Sequence, residues 1–169
     1  MNTAPPIAPP VVPGIHRRVP GHLARRFAQI CNTMLTEVSA PHGLASWHFA
    51  LLVQIRDTPG MDRNWLAAAI GCDATSTGQA LERFVAAGQV LRETRAEDRR
   101  AGAFTLTAAG EALFQELAGP VRTVARQIMS PLTDAESETL LSLLARLIDA
   151  HEAHARPGGG RRPPRPKPK

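Results

Sequence analysis

Apolar residues recur every three or four positions along most of the chain, the spacing expected of amphipathic helices. The first run consists of Leu23, Phe27, Cys31, Met34, Leu35 and Val38, and it ends at Pro41-His42-Gly43. A second run carries Phe49, Leu52 and Val53 and ends at Pro59-Gly60. Because proline and glycine close helices, the pattern predicts two helices in the first third of the chain.

The next stretch predicts two helices joined by a tight turn. Asp62 and Asp73 are suited to cap the third and fourth helices, and Gly71 lies between those helices. In the fourth helix the apolar residues Leu81, Phe84 and Val85 are predicted to face inward, and Gly88 ends it.

After the fourth helix the spacing of the apolar residues is no longer helical. The segments 90–93 and 103–106 are short strand candidates that flank the polar stretch TRAEDRRAG, which predicts a β-hairpin. A long helix follows from Thr107, and Pro120 should kink or interrupt it. Thr133 and Glu136 form a capping box for a last helix. The apolar residues of that helix are Leu140, Leu141, Leu144, Leu147 and Ile148.

Composition divides the chain into a Pro-rich segment 1–14, one folded domain 15–156 and a basic, Pro-rich segment 157–169. We expect both end segments to be disordered, because 1–14 contains five prolines, including two Pro-Pro pairs, and 157–169 has no apolar side chain to bury. The net charge is +5. Six of the 20 Lys and Arg lie in 156–169, which leaves 14 in 1–155 against all 15 Asp and Glu, a net charge of −1 there. The basic character therefore belongs to the C-terminal segment, which we expect to add salt-dependent, sequence-independent attraction to phosphates.

Several classes of protein are disfavoured. No apolar stretch is long enough to span a membrane and no signal peptide precedes the domain, so we expect a cytoplasmic protein without membrane contact. Nucleotide-binding glycine loops and a serine nucleophile elbow are absent, so no enzymatic activity is predicted. Cys31 and Cys72 lack zinc-ligand spacing, and His151 with His154 lack a third ligand. We therefore predict no metal and no cofactor.

The order of helix, short helix, glycine turn, helix and hairpin is that of a winged helix-turn-helix. Such a module places a helix in the major groove and a basic hairpin against the backbone or minor groove. The fourth helix offers four polar residues on its outward face: Thr75, Ser76, Gln79 and Arg83. The hairpin tip offers Arg95, Arg99 and Arg100.

Three stretches resemble the MarR family of transcriptional regulators: GLASWHFALLVQI, the segment 66–117, and LTDAESETLLSLLARLI. The resemblance covers roughly residues 22–150, and its most specific part is EDRRAGAFTLTAAG. It implies a mainly α fold with a small β-hairpin wing. A DNA-binding lobe at about 46–107 would lie between N- and C-terminal dimerisation helices at about 16–40 and 107–155. It further implies a homodimer on a palindromic operator in double-stranded DNA, commonly modulated by a small molecule or an oxidant.

The resemblance also assigns roles to individual positions. Thr75, Ser76, Gln79 and Arg83 would face the major groove, Asp98 would brace the wing, and Arg99 and Arg100 would reach the minor groove or its phosphates. The chain departs from the family pattern at Gln79, where the family often has Arg, and at Gly78 inside the recognition helix. Close approach of the backbone to DNA is one interpretation of that glycine.

Effectors of the resembled family bind between the dimerisation helices and the DNA-binding lobe. That region of the chain offers Arg25, Arg26, His42, Trp47 and His48, which suit a carboxylated aromatic effector. In the structural alternative Trp47 is core, His48 is a surface or dimer-contact residue, and Arg25 and Arg26 are solvated. Peroxide-sensing members of the resembled family use a cysteine near the start of the first helix, supported by tyrosines. This chain has no tyrosine, and Cys31 lies well into its helix on an apolar face. Redox sensing is therefore disfavoured, and we expect both cysteines to serve in packing.

The sequence therefore predicts a sequence-specific DNA-binding transcriptional regulator, a dimeric repressor of a palindromic operator that a small effector releases. The alternative is a dimeric winged-helix interaction module with only non-specific DNA binding. The near-neutral charge of residues 1–155 and the missing arginine at Gln79 keep that alternative open, whereas the arginines of the wing oppose it.

Overall fold

The computed structural model describes residues 18–94 and 102–155, and its elements are mainly helical. The helices are α1 (Pro20–Ser39), α2 (His48–Asp57), α3 (Arg63–Ala69), α4 (Ala74–Ala86), α5 (Ala108–Met129) and α6 (Asp134–His151). Short 3₁₀ turns follow α1 and α6 at Ala40–His42 and Glu152–His154. The strands β1 (Val90–Thr94) and β2 (Gly102–Leu106) form an antiparallel pair between α4 and α5.

The helix starts are fixed by side-chain caps, as the sequence predicts. The Asp62 carboxylate accepts a hydrogen bond from the Trp65 N–H (2.8 Å) at the start of α3. Thr107 caps α5 by accepting from the Gly110 N–H, and Thr133 with Glu136 completes the predicted capping box of α6. Each cap satisfies a backbone donor that the first helical turn leaves unpaired.

The hydrophobic core lies between α2, α3, α4, the hairpin and the first half of α5. Its most deeply buried side chains are Leu51, Leu52, Ile55, Leu66, Leu81, Phe84 and Leu117. The hairpin is pinned to this core through Phe104, whose backbone N–H donates to the Met61 carbonyl (3.2 Å) and whose carbonyl accepts from the Gly60 N–H (2.9 Å). The base of the wing is therefore held against the start of α3.

One local prediction is wrong and another is wrong in part. Val85 is 36% exposed, because Thr77, Ala80, Leu81 and Phe84 already occupy the inward face of α4 and Val85 lies to one side of them. The helix α5 is not interrupted at Pro120, whereas the kink expected there stays a prediction. Buried residues precede and follow the proline at Leu117 and Val124, so packing on both sides offsets the single lost backbone hydrogen bond.

The apolar faces of α1 and α6 remain exposed in the single chain. On α1 they comprise Leu23, Phe27 and Ile30, and on α6 they comprise Leu141, Leu143, Leu144, Leu147 and Ile148. None of the residues of α6 is buried. Neither these helices nor any other helix in the described part of the chain combines the length and hydropathy needed to cross a bilayer.

Candidate nucleic-acid interface

The start of α4 is held by Asp73. Its carboxylate accepts from the backbone N–H of Ser76 and from the Ser76 hydroxyl, both at 2.8 Å. The buried Thr77 hydroxyl donates to the Asp73 carbonyl (2.9 Å). Both the side chain and the carbonyl group of Asp73 therefore hold the first turn of the helix in place. Ser76, predicted to face DNA, is half-buried and already bonded to Asp73.

The outward face of α4 carries Thr75 and Gln79, four residues apart and both exposed, with Glu82 beside them. Residues at this spacing are neighbours on a helix surface. The structure therefore brings Thr75 and Gln79 together on a polar face opposite Leu81 and Phe84, and their contact with DNA stays a prediction.

Arg83 lies at the edge of this face and is engaged within the protein. Its guanidinium donates to the carbonyl oxygens of Gly43 and His42, the latter at 3.3 Å. Gly43 has φ +64°, and a Cβ there would lie 2.9 Å from Arg83 Nη2. In this structure Arg83 thus ties α4 to the turn after α1, a link across 40 residues that helical spacing could not reveal. Its contact with DNA stays a prediction.

The predicted wing residues Arg95, Asp98, Arg99 and Arg100 lie outside the described residues. At the base of the wing, the side chain of Arg92 on β1 passes over Gly102 of β2. A Cβ on that glycine would be 2.6 Å from Arg92 Nε. The Arg92 guanidinium is 6.0 Å from the centre of the Phe104 ring. Arg92 was not predicted as part of the basic surface of the wing. A strand pattern gives the position of a residue in the strand but not which side chain covers Gly102.

A cleft of about 530 Å³ separates α3, α4 and the hairpin, alongside the exposed face of α4. Its charged lining residues are Asp62, Arg63, Glu82 and Arg92. Gly78 also lines it, and a Cβ there would lie 3.1 Å from the Cδ of Arg63. The structure thus supplies a second interpretation of the helical glycine, namely room for the arginine of α3.

The structure does not bring the five predicted effector residues together. Arg25 and Arg26 are exposed on α1, about 20 Å along the helix from the turn that carries His42. Arg25 lines a shallow cleft of α1 with Gln29, Asn32 and Thr36. Trp47 and His48 begin α2 and lie beside the turn that Arg83 contacts.

His48 corrects a prediction. It is only 8% exposed, so it is not a surface residue. Its ring packs edge-on against Trp47, with centroids 4.3 Å apart, and against Phe84 of α4 at 5.7 Å. Nδ1 accepts a hydrogen bond from the Ala45 N–H (3.0 Å). Burial, and secondly the charge of Arg83, lower the pKa of His48 from its ordinary value, which favours the neutral ring.

This environment predicts a pH-dependent stability. Unfolded His48 takes up a proton near pH 6.5, whereas the folded ring does so only at lower pH. We therefore expect the free energy of unfolding to fall as pH drops below about 6.5. In His48→Asn, whose amide oxygen can accept from Ala45, this part of the pH dependence should disappear in urea titrations. The same substitution at the exposed His151 is the control, and an equal loss in both variants would contradict the assignment.

The remaining candidate ligands stay separate from this region. Burial is the main influence on Cys31 and raises the pKa of its thiol, and Cys72 is buried just before α4, which agrees with the predicted packing roles. The His151 and His154 rings have centroids 6.2 Å apart. Across residues 18–94 and 102–155, no group of three or more His, Cys, Asp or Glu is arranged to hold a metal ion.

Comparison with solved structures supports the assignment of the fold. No family model matches the chain. A probable transcriptional regulator from Pseudomonas aeruginosa is 29% identical, with a TM-score of 0.70 over 78% of this chain and 98% of that one. The MarR family protein Rv2887 of Mycobacterium tuberculosis, in complex with p-aminosalicylic acid, is 23% identical, with a TM-score of 0.64 over 76% and 98%. The transcriptional repressor CouR, bound to a 23-mer DNA duplex, is 21% identical, with a TM-score of 0.73 over 82% and 99%.

The class of protein that this fold and these relatives define is that of the winged helix-turn-helix transcriptional regulators, which are not enzymes. Within that class the chain has the fold of the MarR family, and the resemblance predicted from the sequence is confirmed.

Proposed function

We propose that the protein is a homodimeric, sequence-specific repressor that places α4 of each copy in the major groove of a palindromic operator. The observation that carries this proposal is the exposed pair Thr75 and Gln79 on a helix fixed by the Asp73 cap. Hydroxyl and amide side chains can hydrogen-bond to base edges, and a rigid helix keeps them in register with those edges.

The dimer is supported by the apolar faces of α1 and α6. Leu147 and Ile148 are 57% and 60% exposed, and they continue a row of exposed leucines along α6. A soluble monomer rarely exposes a contiguous apolar surface of this kind, and a second copy would bury it. Two-fold pairing would present two α4 helices to half-sites about 10 bp apart, the basis for expecting a palindrome.

The proposed effector is a small aromatic carboxylate that weakens DNA binding. The p-aminosalicylic acid in the similar Rv2887 structure supports this class of ligand. In this chain we expect the ligand to bind beside the turn that carries His42, since Arg83 joins that turn to α4. A ligand that binds there and displaces Arg83 would change the position of the recognition helix, provided that it favours the altered arrangement.

Gln79→Ala tests the reading role of α4. We expect a loss of about 1–3 kcal/mol of operator binding and a relaxed preference at one base pair in each half-site. Titration of operators mutated one position at a time measures both effects. Gln127→Ala, the same change at an exposed residue of α5, is the matched control and should alter neither. An unchanged preference in Gln79→Ala would contradict base reading by this residue.

The same titration tests the effector. Adding p-aminosalicylic acid should lower operator affinity in the unmodified protein. Binding that stays unchanged at saturating ligand would remove aromatic carboxylates of this type from the proposal, without affecting the proposed DNA contacts.

A further inference from the structure

We propose that Arg63 is an additional DNA-backbone contact, which α3 extends across the recognition helix through the gap that Gly78 leaves. The inference rests on the proposed function and adds a phosphate-binding residue to the α4 surface. The gap is visible only where α3 and α4 are packed together, because Arg63 and Gly78 are 15 positions apart in the sequence.

The contact between the two residues is close. Arg63 is the first residue of α3, and its side chain passes over the bare backbone of Gly78. A Cβ on Gly78 would lie 3.1 Å from Arg63 Cδ and 3.6 Å from Arg63 Nη1. Contacts at 3.1 Å are tighter than most real Cβ contacts, so the arginine would have to shift by a few tenths of an ångström to admit an alanine here.

The position of Gly78 on α4 directs the arginine toward the proposed interface. Thr75, three residues before Gly78, and Glu82, four residues after it, are its neighbours on the helix surface, and both are exposed. Arg63 lines one cleft with Gly78 and Glu82, and Glu82 is the neighbour of Gln79 on the exposed face of α4. The arginine therefore lies at the edge of the face proposed to contact DNA.

The guanidinium is available for a ligand. Arg63 is exposed, and within residues 18–94 and 102–155 it forms no ion pair and no hydrogen bond. Of the two carboxylates that line the same cleft, Asp62 is engaged in capping α3, and Glu82 is not within ion-pair distance. A planar guanidinium matches two phosphate oxygens, so a phosphate of the DNA backbone suits it.

A glycine in the interior of a helix destabilises the helix relative to alanine. That loss has a local reason here, because a side chain at position 78 would crowd Arg63. The alternative interpretation, in which the glycine lets DNA approach the backbone itself, predicts a different pattern of mutational coupling.

A double-mutant cycle in the full-length protein tests the proposal. We expect Arg63→Ala to weaken operator and random DNA alike by about tenfold and to reduce the salt slope by about 1. Gly78→Ala should weaken binding in the same direction but have no further effect when Arg63 is already alanine. Arg63→Lys keeps the positive charge but lacks the planar guanidinium. Its affinity for DNA should therefore lie between those of the unmodified protein and Arg63→Ala. Arg122→Ala, on the exposed surface of α5, is the matched control.

Thermal melting of every variant separates folding from binding. The double variant Arg63→Ala with Gly78→Ala should melt no lower than Arg63→Ala alone. The helix then gains an alanine in place of glycine without crowding an arginine. Folded Arg63→Ala with unchanged affinity and salt slope would overturn the inference alone. An equal loss from Gly78→Ala with and without Arg63 would also overturn it. Absence of DNA binding by the unmodified protein would overturn the proposed function and the inference together.

Discussion

Replacing Leu147 and Ile148 with glutamate should convert the protein to a monomer and lower operator affinity by about 100-fold or more. The two side chains are among the most exposed apolar residues of α6. Each would contribute about 1–2 kcal/mol to a dimer interface, because 57% and 60% of the two residues are still exposed and can be buried there. Two carboxylates in that interface would instead be desolvated without partners. A monomer can bind only one half-site at a time, and this accounts for the expected loss of affinity.

Analytical ultracentrifugation measures the dimer, and operator titration measures the affinity. Ser142→Glu with Arg146→Gln makes the same change of net charge on the exposed polar side of α6 and should leave both unchanged. Circular dichroism establishes that the variants stay folded. A folded Leu147→Glu and Ile148→Glu variant that is still dimeric would contradict the assignment of this face as the interface.

Gly110→Ala should lower the free energy of unfolding by about 3 kcal/mol, since the first turn of α5 touches the chain before β1. A Cβ on Gly110 would lie 2.0 Å from the Gln89 carbonyl oxygen and 3.1 Å from Leu106 Cδ2. The obstacle is backbone and cannot rotate away. It is also held in place, because the Gln89 carbonyl accepts from the Thr107 N–H (3.0 Å) and the Gly88 carbonyl accepts from the Thr107 hydroxyl (2.6 Å).

Thermal denaturation should show this loss as a lowering of the melting temperature by about 10 °C. Gly119→Ala, in the same helix but with open space around its Cβ, is the control and should stabilise α5 by up to about 1 kcal/mol. Equal melting temperatures for the two variants would contradict the close packing of α5 against the hairpin.

The helix starts could be predicted from the sequence because a cap acts over three residues. Asp62, Asp73 and Thr133 each bond to a backbone N–H within their own first turn, so residue type and spacing suffice. The outward position of Thr75 and Gln79 likewise follows from the helical period alone.

The contacts that could not be predicted from the sequence lie where distant parts of the chain meet. His48 is buried because it packs against Phe84, which lies 36 residues further on. Arg83 bonds to carbonyl groups of the turn after α1, and Arg63 occupies the gap at Gly78, because α4 packs beside both elements. Periodicity places a residue on a face of its own helix but does not indicate which other element covers that face.

The proposed function requires this winged helix to read DNA sequence. Selection of the full-length protein on fragmented DNA from its own genome, followed by titration of the selected fragments at several salt concentrations, is the test of that requirement. We expect enrichment of a palindrome bound by two copies of the chain, with affinity that falls steeply with salt. Equal weak binding to all fragments, lost on removal of residues 157–169, would contradict it and favour a dimeric interaction module.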